Sequence, residues 1–276
     1  MSVAFGARLS AVVAERGPLC VGIDPHRELL LSWGLTDDVD GLCRFTDAVV
    51  DALAGSVAVL KPQSAFYERH GSRGLAVLED AVAAARSAGA LVLLDAKRGD
   101  IGSTMAGYAA VLEPGHPLHV DALTVSPYLG PDSLQPAVDA AQRHGGGLYV
   151  LARTSNPDAG TFQHAVVEGR SVAQAVVDTV GRWNGPASRS WGAELGACGV
   201  VVGATLPELD VDLTGLGGSV LAPGLGAQGG TPEDLRRLFG DTQAVVPTVS
   251  RDVLAAGPDV PGLRSAAARW AHALQR

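Results

Sequence analysis

The chain has 276 residues, 47% hydrophobic and 18% charged, enough apolar material for one large α/β domain or two small ones. A formal net charge of −8 argues against a nucleic-acid surface, so an anionic ligand must be drawn in by a local cluster of cations rather than by the whole field. Three cysteines (Cys20, Cys43, Cys198) in no metal-ligand spacing, no signal-peptide pattern at the start and no apolar run near the roughly 18 residues of a membrane span lead us to expect a cytoplasmic protein with neither a zinc site nor a membrane partner.

In chain order, apolar periodicity predicts a helix over 2–15, a strand over 19–24 ending at Asp24, a helix over 39–53 and a strand over 57–61 closed by Lys61. A helix over 73–87 leads to the strand that carries Asp95 and Lys97, followed by a helix over 101–112. The strand 120–125 runs into Ser126-Pro127 and a helix over 133–143; the strand 148–151 runs into a polar loop, 153–160, and a helix over 171–183. A Gly/Ser-rich surface loop over 184–191 precedes the strand 199–202, a short helix near Pro207, the strand 219–222 and a helix over 232–239. The strand 244–249 and a helix over 263–274 close the chain.

Eight apolar strands alternating with helices over this length predict a (β/α)8 TIM barrel, a single domain over 1–276 with an N-terminal helix (1–16) ahead of the barrel (19–276). A doubly wound sheet uses the same alternation, but it calls for a Gly-x-Gly-x-x-Gly turn after an early strand, where this chain has Pro25-His26-Arg27. In a barrel the C-terminal strand ends converge on one mouth, which makes neighbours of Asp24, Lys61, Asp95, Lys97, Ser126 and Ser155.

The most informative stretch is 91–104, Leu-Val-Leu-Leu-Asp-Ala-Lys-Arg-Gly-Asp-Ile-Gly-Ser-Thr. Its apolar run suits a strand buried on both faces, and side-chain alternation puts Asp95 and Lys97 on one face at the end. Gly99 breaks the strand, and Asp100 then brings a second carboxylate near the ammonium. A structural ion pair, with Asp100 as a helix N-cap, is one reading of this spacing. Buried ion pairs add little net stability, however, so charges gathered at a strand's C-terminal end favour chemistry.

A second stretch, 223–230 (Pro-Gly-Leu-Gly-Ala-Gln-Gly-Gly), is followed by Thr231-Pro232-Glu233. Glycines let backbone N–H groups approach an anion, and Thr231 as N-cap with Pro232 at the first helical position starts a helix directly afterwards. The next strand ends in Ser250-Arg251, which sets a guanidinium beside this loop, at the two loops where barrels commonly hold phosphate. The alternative is a flexible turn with a surface arginine. Gln228, with two donors and one acceptor, suits bridging a phosphate and a polar ring.

Asp24, Lys61, the 95–104 block, Thr154-Ser155-Asn156-Pro157, the Gly-Ala-Gln-Gly-Gly turn and Arg251 together resemble the orotidine 5′-phosphate decarboxylase family in its longer bacterial form. The likeness spans Asp24 to Arg251, and its most specific part is the Asp-x-Lys-x-x-Asp element. Sugar-phosphate barrels such as hexulose-phosphate synthase share that element but use magnesium; the glycine-rich turn and Lys61 favour the decarboxylase. Ser250 departs from the family pattern, where a glycine often precedes the phosphate arginine.

The resemblance implies a carboxy-lyase that converts orotidine monophosphate to UMP and carbon dioxide without metal or organic cofactor. It implies catalytic roles for Lys97, Asp95, Asp100 and Lys61, with Lys97 stabilising the carbanion and delivering the proton. It implies substrate contacts from Asp24 to the ribose, from Ser155 to the pyrimidine and from Gln228 and Arg251 to the phosphate. It also implies a substrate contact from Ile101 and a homodimer in which Asp100 and Thr104 reach the neighbour's site. Singly, Asp24, Lys61 and Ser155 have plain structural readings as turn or ion-pair residues; their joint placement at successive strand ends favours a site.

Overall fold

The computed structural model describes residues 3–185, 190–192, 194–240 and 243–275. Eight parallel strands close on themselves as a barrel: β1 (Cys20–Ile23), β2 (Val59–Pro62), β3 (Leu91–Arg98), β4 (Ala122–Val125), β5 (Gly147–Arg153), β6 (Cys198–Val202), β7 (Val220–Pro223) and β8 (Val245–Val249). Each pairs with its neighbours in sequence, and β8 returns to β1 through Cys20 opposite Thr248. This is the (β/α)8 barrel that the alternation of strand and helix predicts.

Side-chain alternation sorts the strand residues into two cores. Outward-facing Val21, Leu60, Val92, Leu94, Leu123, Val150, Val200 and Val220 pack beneath the helices. Inward-facing Cys20, Val59, Leu93, Ala122, Tyr149, Val201, Leu221 and Val246 fill the barrel, where the N-terminal helix Phe5–Arg16 adds Phe5, Leu9 and Val12 from below. Both faces are apolar, which is why the strands read as continuous hydrophobic runs. Two residues further along several strands the inward positions turn polar: Lys61 after Val59, Asp95 after Leu93, Thr124 after Ala122 and Thr248 after Val246. An apolar plug at the N-terminal end and a polar floor at the C-terminal mouth thus follow from one alternation.

The bottom of the barrel is tied by a buried carboxylate. Asp121, 3% exposed, accepts from Arg8 (2.6 Å), Arg86 (3.2 Å) and the amide of Val92 (2.9 Å), joining the N-terminal helix to the strands. The helix Val39–Leu53 coincides with its predicted span; Asp38 caps it by accepting from the Gly41 amide at 2.9 Å, and Leu42, Phe45, Val49 and Leu53 form its buried stripe.

Several expectations are corrected. No helix forms near Pro207: residues 203–219 make turns, with Arg237 donating to the carbonyls of Pro207 (2.5 Å) and Leu206 (3.2 Å). The segment contains Pro207 and four glycines and carries no helical run. The polar loop after β5 contains a helix, Ala159–Gln163, and a two-stranded hairpin of Val166–Val167 with Arg170–Ser171. Asn184, expected in a surface loop, ends the helix Val172–Asn184 and anchors β6, donating to Cys198 O (2.7 Å) and Leu216 O (2.8 Å). Residues 186–189 of that expected loop and Ser2 of the expected first helix lie outside the described residues.

Candidate active site

The C-terminal mouth opens into a cavity of about 940 Å³ whose lining includes Asp24, Lys61, Asp95, Lys97, Ser155, Gln228 and Arg251, seven of the residues singled out in the sequence. They arrive from β1, β2, β3, β5, β7 and β8 or the turns that follow, so only closure of the barrel makes them neighbours.

Asp95 is the hub. Its Oδ1 accepts from Lys97 Nζ (2.6 Å) and from the Thr124 hydroxyl (2.9 Å), and its Oδ2 from Lys61 Nζ (2.7 Å) and Gln63 Nε2 (3.1 Å). Four donors occupy the four acceptor positions of one carboxylate, which fixes its orientation. Burial opposes charge on both Lys61 and Asp95, but mutual attraction outweighs it. Lys61, beside Asp95 and Asp24, is raised above the ordinary lysine value, and Asp95, between Lys61 and Lys97, is held well below the usual carboxylate range. Lys61 is 5% exposed, whereas the Lys97 side chain is 45% exposed and faces the cavity.

Alternation predicts Asp95 and Lys97 on one face, and they do pair, but by a different route. Lys97 has φ of 48°, outside the strand region. Leu94 is in register with Leu123 and Arg98 with Val125, so Asp95, Ala96 and Lys97 stand opposite Thr124 alone. A bulge, rather than the regular pleat, aims the lysine.

The glycine-rich turn is a tight loop, with Gly226 N donating to Gly230 O (2.9 Å) and Gly230 N to Gly224 O (3.0 Å). Gly224, Gly226 and Gly229 have φ of 117°, 70° and 97°, values that side chains other than glycine's rarely tolerate. Thr231 and Asp234 form a reciprocal capping box at the start of the helix Pro232–Phe239, as the sequence predicts for Thr231. Arg251 begins the short helix Arg251–Leu254 beside this turn, where a methyl on Gly226 would lie 2.3 Å from Asp252 Oδ2. Ser250 fits because Gly22 on β1 has no side chain: a methyl there would lie 1.9 Å from the Ser250 hydroxyl. Asp24 Oδ1 is buried without a hydrogen-bond partner.

Asp100 is not where the spacing puts it. It does not line the cavity, and its Oδ1 accepts from the adjacent Ile101 amide at 2.8 Å; Ile101 and Thr104 are exposed and also outside the cavity. The helix that follows is Gly102–Ala109, capped at Ile101, not Asp100, and it tightens to a 3₁₀ turn over Ala110–Leu112. Gly99 does not take a positive φ; a methyl there would sit 2.4 Å from Ser126 O, so it serves close packing of two loops. Ser126, whose amide donates to Arg98 O at 2.7 Å, does not line the cavity.

Gln63 and Thr124 were not singled out in the sequence, although both lie two residues beyond an inward-facing position, the signal that could have found them. Thr248, Ser250 and His26 also line the cavity; His26 packs edge-on against Phe66 at 4.3 Å.

A closed barrel with a lysine–carboxylate cluster at its C-terminal mouth defines a TIM-barrel enzyme. The chain belongs to the family described as orotidine 5′-phosphate decarboxylase / HUMPS, whose match covers residues 17–266. It is 60% identical over 268 residues to the orotidine 5′-phosphate decarboxylase of Salinispora arenicola (strain CNS-205), covering 96% of this chain and 95% of that one. It is 60% identical over 271 residues to that of Streptomyces coelicolor, covering 97% and 95%. A crystal structure from Streptomyces avermitilis superposes with a TM-score of 0.95 at 57% identity, covering 100% of this chain and 96% of that one.

Proposed function

We propose that the chain is a single barrel domain that converts orotidine 5′-monophosphate to UMP and carbon dioxide in pyrimidine biosynthesis. The observation that carries this reading is the Lys97 ammonium held over the cavity by a carboxylate whose acceptor positions are all filled. Breaking the bond from C6 to the carboxylate leaves an electron pair in an in-plane orbital that the ring cannot delocalise, so the barrier falls through preorganised positive charge beside that carbon. Lys97 supplies the charge, transfers a proton to C6 as carbon dioxide departs and regains it from solvent. Lys61 and Asp95 hold that ammonium in place. Asp24, with an oxygen lacking a partner, accepts from a ribose hydroxyl. Ser155 reads the pyrimidine edge, and Gln228 with Arg251 and the glycine turn grips the phosphate, whose binding energy supports chemistry at the distant ring.

The reading includes a cytoplasmic homodimer, with Asp100 and Thr104 completing the site of a second copy and Ile101 a substrate contact. Its support is the exposure of Ile101 and Thr104 together with Tyr128 (72%) and Leu129 (52%), which give the loops after β3 and β4 an apolar surface. No described helix is long and apolar enough to cross a membrane. The test is loss of orotidine monophosphate absorbance with and without EDTA. Chelator-independent loss is expected; no loss, or loss abolished by EDTA, favours a magnesium-dependent sugar-phosphate barrel instead.

A further inference from the structure

We infer that Thr124 is a positioning residue for this reaction, its hydroxyl setting the backbone of Lys97 and the carboxylate of Asp95 in one geometry. The inference rests on the assignment of Lys97 as the reacting lysine.

The β3–β4 ladder leaves three residues of β3 opposite one residue of β4. In such a bulge the extra residues lose their ladder partners, and a backbone N–H in the interior must find another acceptor. The Lys97 amide finds it in a side chain, donating to Thr124 Oγ1 at 2.9 Å. A hydroxyl has one proton to give, and Thr124 gives it to Asp95 Oδ1 at 2.9 Å, the same oxygen that receives the Lys97 ammonium at 2.6 Å. The ring runs from Lys97 N through Thr124 Oγ1 and Asp95 Oδ1 to Lys97 Nζ. Its direction is set, because an amide N–H can only donate and an ionised carboxylate can only accept.

This ring encloses a strained residue. Among the described residues only Lys97 and Glu168 combine a side chain with a positive φ, and Glu168 lies in an exposed hairpin turn. Left-handed backbone at a lysine persists where the surroundings over-determine it. Here one end of Lys97 is held by Thr124 and the other by Asp95, and Thr124, 1% exposed, holds the second through the first. Without the hydroxyl, the lysine's backbone can relax toward an ordinary strand and carry the ammonium off its line to the substrate. Neither Thr124 nor the bulge contacts the phosphate arm, so the effect falls on turnover rather than on binding.

The test compares Thr124→Val, near in shape but without the hydroxyl, with Thr124→Ser, which keeps it. For Thr124→Val, kcat is expected to fall about 100-fold, the scale of a misplaced reacting group, with KM for orotidine monophosphate within about threefold of wild type. Thr124→Ser is expected to restore kcat to within about threefold. Hydrogen exchange at the Lys97 amide, followed in the substrate-free enzyme, is expected to quicken in Thr124→Val and to stay protected in Thr124→Ser. Should Thr124→Val fail to fold, Thr124→Ala against Thr124→Ser isolates the same hydroxyl. Wild-type kcat without the hydroxyl, equal loss in both variants, or a change confined to KM overturns the inference. Lys97→Ala, run alongside, separates the levels. If it retains turnover, the reading of Lys97 fails; if it is inactive while Thr124→Val is fully active, only the role of Thr124 fails.

Discussion

The ammonium of Lys97 rests 2.6 Å from Oδ1 of Asp95 although the two are separated in sequence by a single alanine and Lys97 has left the strand conformation. A salt bridge between residues so close in sequence is not a long-range staple, and the half-exposed lysine gains little stability from it. Its value lies in where it puts the charge. Lys97→Ala should therefore lower kcat by several orders of magnitude while UMP still binds, because it removes both the charge opposite the carbanion and the proton source. Single-turnover decarboxylation together with UMP titration checks this; a tenth of wild-type turnover in the variant would contradict it.

The proposed phosphate grip can be separated from chemistry at Arg251, which lines the cavity. Arg251→Ala should weaken orotidine monophosphate by about 2 kcal/mol or more, the scale of a lost charge-assisted hydrogen-bond pair, and leave the phosphate-free nucleoside almost unaffected. Equal losses for both substrates would make Arg251 a structural residue.

Asp100 does not line its own chain's cavity, so its proposed contribution to a second copy can be tested in mixed dimers. Lys97→Ala and Asp100→Ala are each expected to be inactive alone. In a hybrid of the two, one site carries both lesions and the other neither. Random exchange makes half the dimers hybrid, so roughly a quarter of all sites should recover, as two-fold symmetry requires. A refolded mixture that contains hybrids yet stays inactive would place Asp100 at work within its own chain.

The buried pair of Lys61 and Asp95 has a pH signature. The folded-state pKa of Asp95 is depressed below its ordinary 3.8, so the stability it contributes is present above that value and is lost as pH falls through the folded pKa. Lys61 is raised above its ordinary 10.5, so its contribution is present below that value and is lost only as pH rises through the higher folded pKa. Lys61→Met leaves Asp95 buried with half of its charged partners and should cost about 3 kcal/mol at pH 7. The penalty should shrink at pH 3, where a carboxyl left with Lys97 as its one cation protonates more readily. Thermal melts of both proteins at the two pH values decide it; an equal penalty at each would show that the charge of Asp95 is not the cause.

At the opposite end, Phe5 is 3% exposed and packs edge-on against Tyr149 at 6.2 Å inside the barrel. Phe5→Ala should destabilise the fold by about 3–5 kcal/mol through the cavity it opens, with kcat unchanged in the surviving folded enzyme. Denaturant unfolding and steady-state kinetics on the same preparation check both halves; a proportionate loss of kcat would show that the plug and the mouth are coupled.

Strands, most helices and the glycine-rich turn were legible in the residue order because each rests on a short-range rule. Apolar runs of strand length, the Asp38 and Thr231 caps and the glycine–threonine–proline punctuation at 229–232 act within a turn or two of the chain. The convergence of Asp24, Lys61, Asp95, Lys97, Ser155, Gln228 and Arg251 followed once a closed barrel was assumed, since closure alone brings six strands' ends together. Gln63 and Thr124 follow the same alternation but carry no charge to draw notice. What only the tertiary structure decided is the geometry around Lys97 and the direction of Asp100. Three residues of β3 stand against one of β4, a count set by pairing between segments 27 residues apart, as Lys97 and Thr124 are. Gly99 is chosen by the carbonyl of Ser126 on that neighbouring loop, a contact no local pattern encodes. Periodicity reports which face a side chain takes in a regular strand; it is silent where a partner strand forces the chain out of that regularity.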